Sequence, residues 1–140
     1  MTDLSLTTSR TIAAPRARVF DAWLDPRLLA KFMRPAPEMP EPACETDPRT
    51  GGRFSILMMG QDGELPHGGT YKEISPHDRI VFTWESPYSV DDSTVTLDFS
   101  DDGDGTMVTL THVKFASEEM RDNHEKGWGA ILAAQAELLQ

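Results

Sequence analysis

Residues 117–139 read SEEMRDNHEKGWGAILAAQAELL, and the reading of this stretch decides the fold. Ser117 is a good N-cap, Glu118 and Glu119 suit the positive end of a helix dipole, and no proline follows, so the stretch predicts a long terminal helix. Its apolar positions Met120, Trp128, Ile131, Leu132, Leu138 and Leu139 recur at three- and four-residue intervals and form one stripe. Gly127 and Gly129 flank the tryptophan, which suggests close packing of the helix against whatever lies beneath it. A helix with a single apolar stripe needs an apolar face to cover, and the rest of the chain must supply that face.

Upstream the period changes to two. Leu4, Leu6, Thr8, Arg10 and Ile12 alternate with Ser5, Thr7, Ser9 and Thr11, the pattern of a strand with one buried side. Gly51-Gly52 permits a turn, after which Arg53 to Met59 reads as a strand with Phe54, Ile56 and Met58 on one face. Asp62-Gly63 marks a hairpin that leads into a strand around Gly69 to Ile74. Beyond Pro76-His77-Asp78, the run Arg79 to Glu85 sets Ile80, Phe82 and Trp84 on one side, and Thr94 to Phe99 does the same with Val95, Leu97 and Phe99. The turn cluster Asp101 to Gly105 precedes a last strand in which Val108, Leu110 and His112 alternate with Met107, Thr109 and Thr111.

Two short helices follow the first strand. Pro15 fits a first helical turn, with Val19, Phe20, Trp23 and Leu24 at helical spacing behind it, and Asp25-Pro26 repeats the signal ahead of Leu28, Leu29 and Phe32. Pro35, Pro37, Pro40, Pro42 and Pro48 then prevent a regular helix and confine any strand to short or edge pieces, so this stretch reads as a loop or lid. The expected fold class is α+β: an antiparallel sheet of about six or seven strands, two short helices and a long C-terminal helix, in one domain over residues 1–140.

The formal charge of −10, from 23 acidic and 13 basic side chains, repels phosphate backbones, so no nucleic acid is expected as a partner. A single cysteine, Cys44, allows no internal disulfide. The N-terminus lacks a basic and apolar leader, which points to a cytoplasmic protein. No apolar run approaches the length of about 20 residues that a membrane span requires.

The order of elements, with Ala14-Pro15, Val19-Phe20-Asp21-Ala22-Trp23, Asp25-Pro26, Glu45-Thr46-Asp47 and Gly51-Gly52-Arg53-Phe54, resembles the family of homologues of the activator of heat shock protein 90 ATPase. Gly69-Thr70-Tyr71-Lys72-Glu73-Ile74, Arg79 to Trp84, Val95-Thr96-Leu97, Thr109-Leu110-Thr111-His112 and Gly127-Trp128 extend the likeness over nearly the whole chain. The resemblance implies membership of the wider START-like (SRPBCC, polyketide-cyclase) superfamily, within which that family falls. The resemblance implies a helix-grip fold, in which a curved sheet wraps around the terminal helix and leaves an apolar cavity between them.

The residues expected to wall that cavity are Trp23, Phe54, Met58, Tyr71, Phe82, Trp84, Leu97, Leu110, Trp128 and Ile131, with His112, His124 and Gln135 as polar groups on otherwise apolar faces. Such groups cost a few kcal/mol if buried unpaired, so each must meet a protein partner, water or a ligand. Met33, Met39, Met58, Met59, Met107 and Met120 suit an adaptable pocket or plain core packing. His67 and His77 sit beside prolines and glycines and read as solvated turn positions. No metal site is expected: no histidine pair has zinc spacing, and the run from Asp98 through Ser100, Asp102 and Gly103 has Thr109 where a calcium loop needs a bidentate Glu. No nucleophile has a dedicated base, so no catalytic residue and no cofactor are expected.

These observations point first to a non-catalytic binder of a small hydrophobic or amphipathic molecule, acting as a monomer or homodimer, with the proline-rich loop as the cavity rim. An enzyme of the cyclase or hydrolase type, using His112 or His124 as a base, is the second reading. A chaperone-associated module that binds a protein partner is the third.

Overall fold

The structure, a computed structural model, describes residues 4–35, 38–60, 63–87 and 89–139. In chain order the elements are β1 (Ser5–Ile12), α1 (Arg16–Ala22), α2 (Pro26–Phe32), β2 (Ala43–Thr46), β3 (Arg53–Gly60), β4 (Gly63–Ser75), β5 (Arg79–Thr83), β6 (Thr94–Asp102), β7 (Gly105–Val113) and α3 (Glu118–Leu139). All seven strands form one antiparallel sheet in the order β1-β7-β6-β5-β4-β3-β2. This is the α+β helix-grip architecture, with α3 running along β1 and against α2.

Local signals place the helix starts. The Asp25 carboxylate accepts hydrogen bonds from the backbone N–H groups of Arg27 (2.9 Å) and Leu28 (3.4 Å), with Pro26 at the first helical position. Ser117 Oγ accepts from the Met120 N–H at 3.2 Å and opens α3. The core lies between the sheet and the three helices. From the strands come Ile56, Ile80, Val95, Leu97, Phe99, Val108 and Leu110, and from the helices Val19, Phe20, Phe32, Ile131 and Leu132, all buried.

Two elements differ from expectation. Strand β4 begins at Gly63 rather than near Gly69, and it runs through Pro66. It pairs with β5 from Tyr71 onward and bridges Glu85 at Gly68, so only the stretch around Pro66 has a ladder neighbour on one side alone, where a sheet tolerates proline. Within the proline-rich stretch, β2 is a four-residue edge strand. The glycines around Trp128 also act differently from the expected close packing on the sheet. A Cβ at Gly127 would meet Pro35 at 3.3 Å, and one at Gly129 would meet nothing.

Candidate functional site

The period-two pattern of β3 turns Met58 inward, and the first half of β4 turns Leu65 and His67 to the same side. Trp84 follows β5, its backbone N–H held by the Ser93 carbonyl at 2.8 Å. Opposite them, the helical spacing of α3 lines up Met120, His124, Gly127, Trp128 and Ile131, with Asn123 at the edge. Pro35, in the connection from α2 to β2, closes one side. Together these residues surround a cavity of about 470 Å³. That size lies within the range of roughly 300–1,000 Å³ usual for small-molecule sites, and the walls are mostly apolar.

Three residues of the wall, His67, His124 and Trp84, carry polar groups on otherwise apolar side chains. His67 Nδ1 lies 2.9 Å from its own strand's Leu65 carbonyl, and His124 Nδ1 lies 2.7 Å from the Met120 carbonyl. A carbonyl only accepts, so each neutral ring donates through Nδ1, and His67 has a second backbone hydrogen-bond partner in Ile56. Burial pushes the His67 pKa below its ordinary value, and a charge on His124 would push it further the same way. The third group is the indole N–H of Trp84, which is buried and finds no acceptor among the described residues.

Of the thirteen residues expected to form the cavity, Met58, Trp84, His124, Trp128 and Ile131 line it. Trp23, Phe54, Tyr71 and Phe82 line a separate gap of only about 10 Å³, which is packed core in all but name. Leu97 and Leu110 are wholly buried in the core. His112 and Gln135 are fully buried and face protein partners rather than the cavity. The Trp128 indole donates to His112 Nδ1 at 3.0 Å, so His112 carries its proton on Nε2 and donates it to Ser93 Oγ at 2.6 Å. Trp23 Nε1 donates to Gln135 Oε1 at 3.0 Å, and Gln135 Nε2 donates to the Val19 carbonyl at 3.2 Å.

The sequence reading missed Pro35, Leu65, His67, Asn123 and Gly127 as wall residues. His67 is the notable correction: it stands on β4, half-buried, with its ring centroid 5.0 Å from that of Trp84, and is not a solvated turn residue. The signal was present, because Leu65, His67, Gly69 and Tyr71 keep the two-residue period, but Pro66 masked it.

Other chemistry has little support around this cavity. Among the described residues no three His, Cys, Asp or Glu side chains gather closely enough to hold a metal ion. The Cys44 thiol is half-buried and pushed up to about 11, first by burial and then by Glu41, so it stays protonated and weakly nucleophilic. No helix is long and apolar enough to cross a membrane among the described residues.

Several solved structures share this architecture. Protein CV1439 from Chromobacterium violaceum is 24% identical with a TM-score of 0.83, the match covering 96% of each chain. The AHSA1-like protein from Aeromonas hydrophila is 23% identical with a TM-score of 0.81, over 96% of this chain and 90% of that one. CalU16 from Micromonospora echinospora is 26% identical with a TM-score of 0.76, over 99% of this chain and 77% of that one. No curated protein matches the chain significantly. The family profile described as "Activator of Hsp90 ATPase homolog 1-like protein" matches residues 13–140, nearly the whole chain, and the chain therefore belongs to that family.

Proposed function

We propose that the protein binds one small hydrophobic or amphipathic molecule, without transforming it, in the cavity between β3, β4 and the N-terminal half of α3. The observation that carries this reading is the cavity itself: about 470 Å³ walled by Met58, Leu65, Trp84, Met120, Trp128 and Ile131. An apolar space of that size in a well-packed domain loses dispersion contacts along its lining, and an apolar ligand restores them. The chain acts as a single cytoplasmic domain, as a monomer or homodimer, and the reading requires no metal or cofactor. Met59, at 41%, is the one large apolar side chain counted as exposed among the described residues, which gives an interaction module little to use.

Native mass spectrometry of freshly purified protein tests the reading, with a defined small mass bound at a one-to-one ratio as the expected result. A titration with ANS should saturate near one equivalent while near-UV dichroism is retained, which separates a native cavity from a molten globule. Absence of both bound mass and saturable probe binding would overturn the reading. Turnover of the bound compound would move the protein to the enzyme class.

A further inference from the structure

We infer that β1 is an interface at which two copies of the chain join edge to edge, through antiparallel pairing of Ser5–Ile12 about a twofold axis at Thr8. The sheet ends at β1 on one side and at β2 on the other, and β4 has a further free margin around Pro66. An open strand edge is a row of unpaired backbone donors and acceptors, and proteins that stay apart blunt it with proline, charge, a bulge or brevity. Strand β2 is four residues long, carries Glu45 and lies between Pro42 and Pro48. The free margin of β4 holds Glu64 and Pro66. By contrast, β1 is eight residues long, has no proline and no acidic residue, and keeps an unbroken register with β7 along its whole length.

Charge favours the same strand. The chain carries a net charge of −10, yet residues 4–14 hold a single charged side chain, Arg10, and residues 105–113 of β7 hold no Asp, Glu, Lys or Arg. The acid bonded to β1 is Asp102, at its C-terminal end, 2.6 Å from Thr11 Oγ1. These two strands therefore lack the acidity that drives copies of the chain apart elsewhere.

The ladder also shows which groups are open. The Lys114 N–H donates to the Leu4 carbonyl at 2.8 Å, so by the alternation of an antiparallel pair Leu4, Leu6, Thr8, Arg10 and Ile12 direct their backbone groups to β7. Ser5, Thr7, Ser9 and Thr11 direct theirs to the free edge, and their side chains are exposed. One register of two such edges uses all four residues. With Thr8 opposite Thr8, Thr7 of one copy faces Ser9 of the other and Ser5 faces Thr11, each pair exchanging two hydrogen bonds, about eight in all. Hydroxyls then stand opposite hydroxyls, and Arg10 stands opposite Leu6 rather than its own copy. Such pairing needs no exposed apolar patch. The cavity lies toward the other margin of the sheet, at β3 and β4, so the interface is independent of the ligand reading.

Sedimentation velocity on the full chain, from about 10 μM to about 1 mM, tests the inference, with the average mass expected to climb toward twice that of the monomer over the range where weak interfaces assemble. Hydrogen exchange at the Ser5, Thr7, Ser9 and Thr11 amides should slow as protein concentration rises. Ser9→Pro removes only a donor that the single chain leaves unused, so it should weaken association at least about tenfold while near-UV dichroism is kept. Should that variant fail to fold, the double variant Thr7→Asp, Ser9→Asp gives the same readout, since it sets carboxylates against each other across the seam at exposed positions. A monomer at every concentration overturns the inference, and so does association that survives the variants, because it then runs through another surface. Protection of the four amides that ignores concentration overturns it too, since the chain's own residues would then cover the edge.

Discussion

His124 and Gln135 stand on the same side of α3, about three turns apart, and both interrupt its apolar stripe. Gln135 is fully buried and enclosed by protein: α1 supplies the Val19 carbonyl and its C-cap residue Trp23 supplies the indole N–H. In the N-terminal half Pro35 faces Gly127, and His124, its Nδ1 2.7 Å from the Met120 carbonyl, borders the cavity. A polar residue on an apolar stripe thus always raises the question of a partner, and the two halves answer it differently. Gln135 is held by side chain and backbone of another element, whereas His124 is held by its own helix at the border of a cavity.

The sharpest way to break this contrast is to truncate one residue in each half. Trp23→Ala removes a buried indole from the closed half and strands the Gln135 carbonyl oxygen, so a loss of about 3–5 kcal/mol is expected in a urea titration. Met120→Ala, in the wall of the open half, should cost less than about 1 kcal/mol because its side chain already borders empty space. Equal losses at the two sites would mean that the halves are packed alike.

A polar pair sharpens the comparison further. Gln135→Leu keeps the volume and leaves the Trp23 N–H without an acceptor, at an expected cost of about 1–3 kcal/mol. His124→Leu exchanges a half-solvated ring for an apolar one and should change stability by less than about 0.5 kcal/mol while altering probe binding. The same denaturant midpoints decide it. A costly His124→Leu together with a harmless Gln135→Leu would invert the assignment.

That these two residues need experiments to tell them apart shows how much the sequence disclosed. The elements were legible, because the Asp25-Pro26 and Ser117 caps are local signals and because alternation in β1, β6 and β7 needs no knowledge of neighbours. Stripe membership was legible too, and it placed Met58, Trp84, His124, Trp128 and Ile131 on faces that meet. Which part of that meeting space stays open was not legible. Phe54 and Met58 share a face of β3, yet Phe54 is packed against Tyr71, Phe82 and Trp84 while Met58 borders the cavity. Only the crossing of α3 over the sheet and the docking of α1 and α2 decide that difference. His67 was lost for a local reason, since proline argues against a strand unless the strand is known to lie at an edge.

The pH dependence of stability probes the seam between the halves, where His112 is held under Trp128. Burial, and secondarily the charge of His124, pushes the His112 pKa down to about 3, whereas the unfolded chain titrates near the ordinary value of about 6.5. The unfolded state therefore takes up a proton first as pH falls. The stability present above about pH 6.5 should decline by about 1 kcal/mol between pH 7 and pH 5.5, and continue downward toward the folded value. His67, lowered chiefly by burial, acts in the same direction. Denaturant midpoints across that range measure the slope, and the His112 ring resonances should show no titration in the native state above about pH 4. A native His112 that titrates near 6.5 would mean that its Nδ1 is not held by the Trp128 indole.

The smallest expected effect separates the two glycines beside Trp128, and it tests the boundary of the cavity most directly. Gly129 lies inside α3, and a Cβ there would meet nothing, so Gly129→Ala should stabilise the protein by about 0.5–1 kcal/mol, the difference in helix propensity alone. A Cβ at Gly127 would stand 3.3 Å from Pro35 Cβ, so the same gain is offset by the need for Pro35 to yield by a few tenths of an ångström. Gly127→Ala should therefore leave stability nearly unchanged while narrowing the cavity between α3 and Pro35. Naphthalene affinity should respond to Gly127→Ala and not to Gly129→Ala, although the two positions are separated by a single residue. If both alanines stabilise equally and neither touches probe binding, Pro35 does not close the cavity against the helix, and the open half of α3 must be bounded elsewhere.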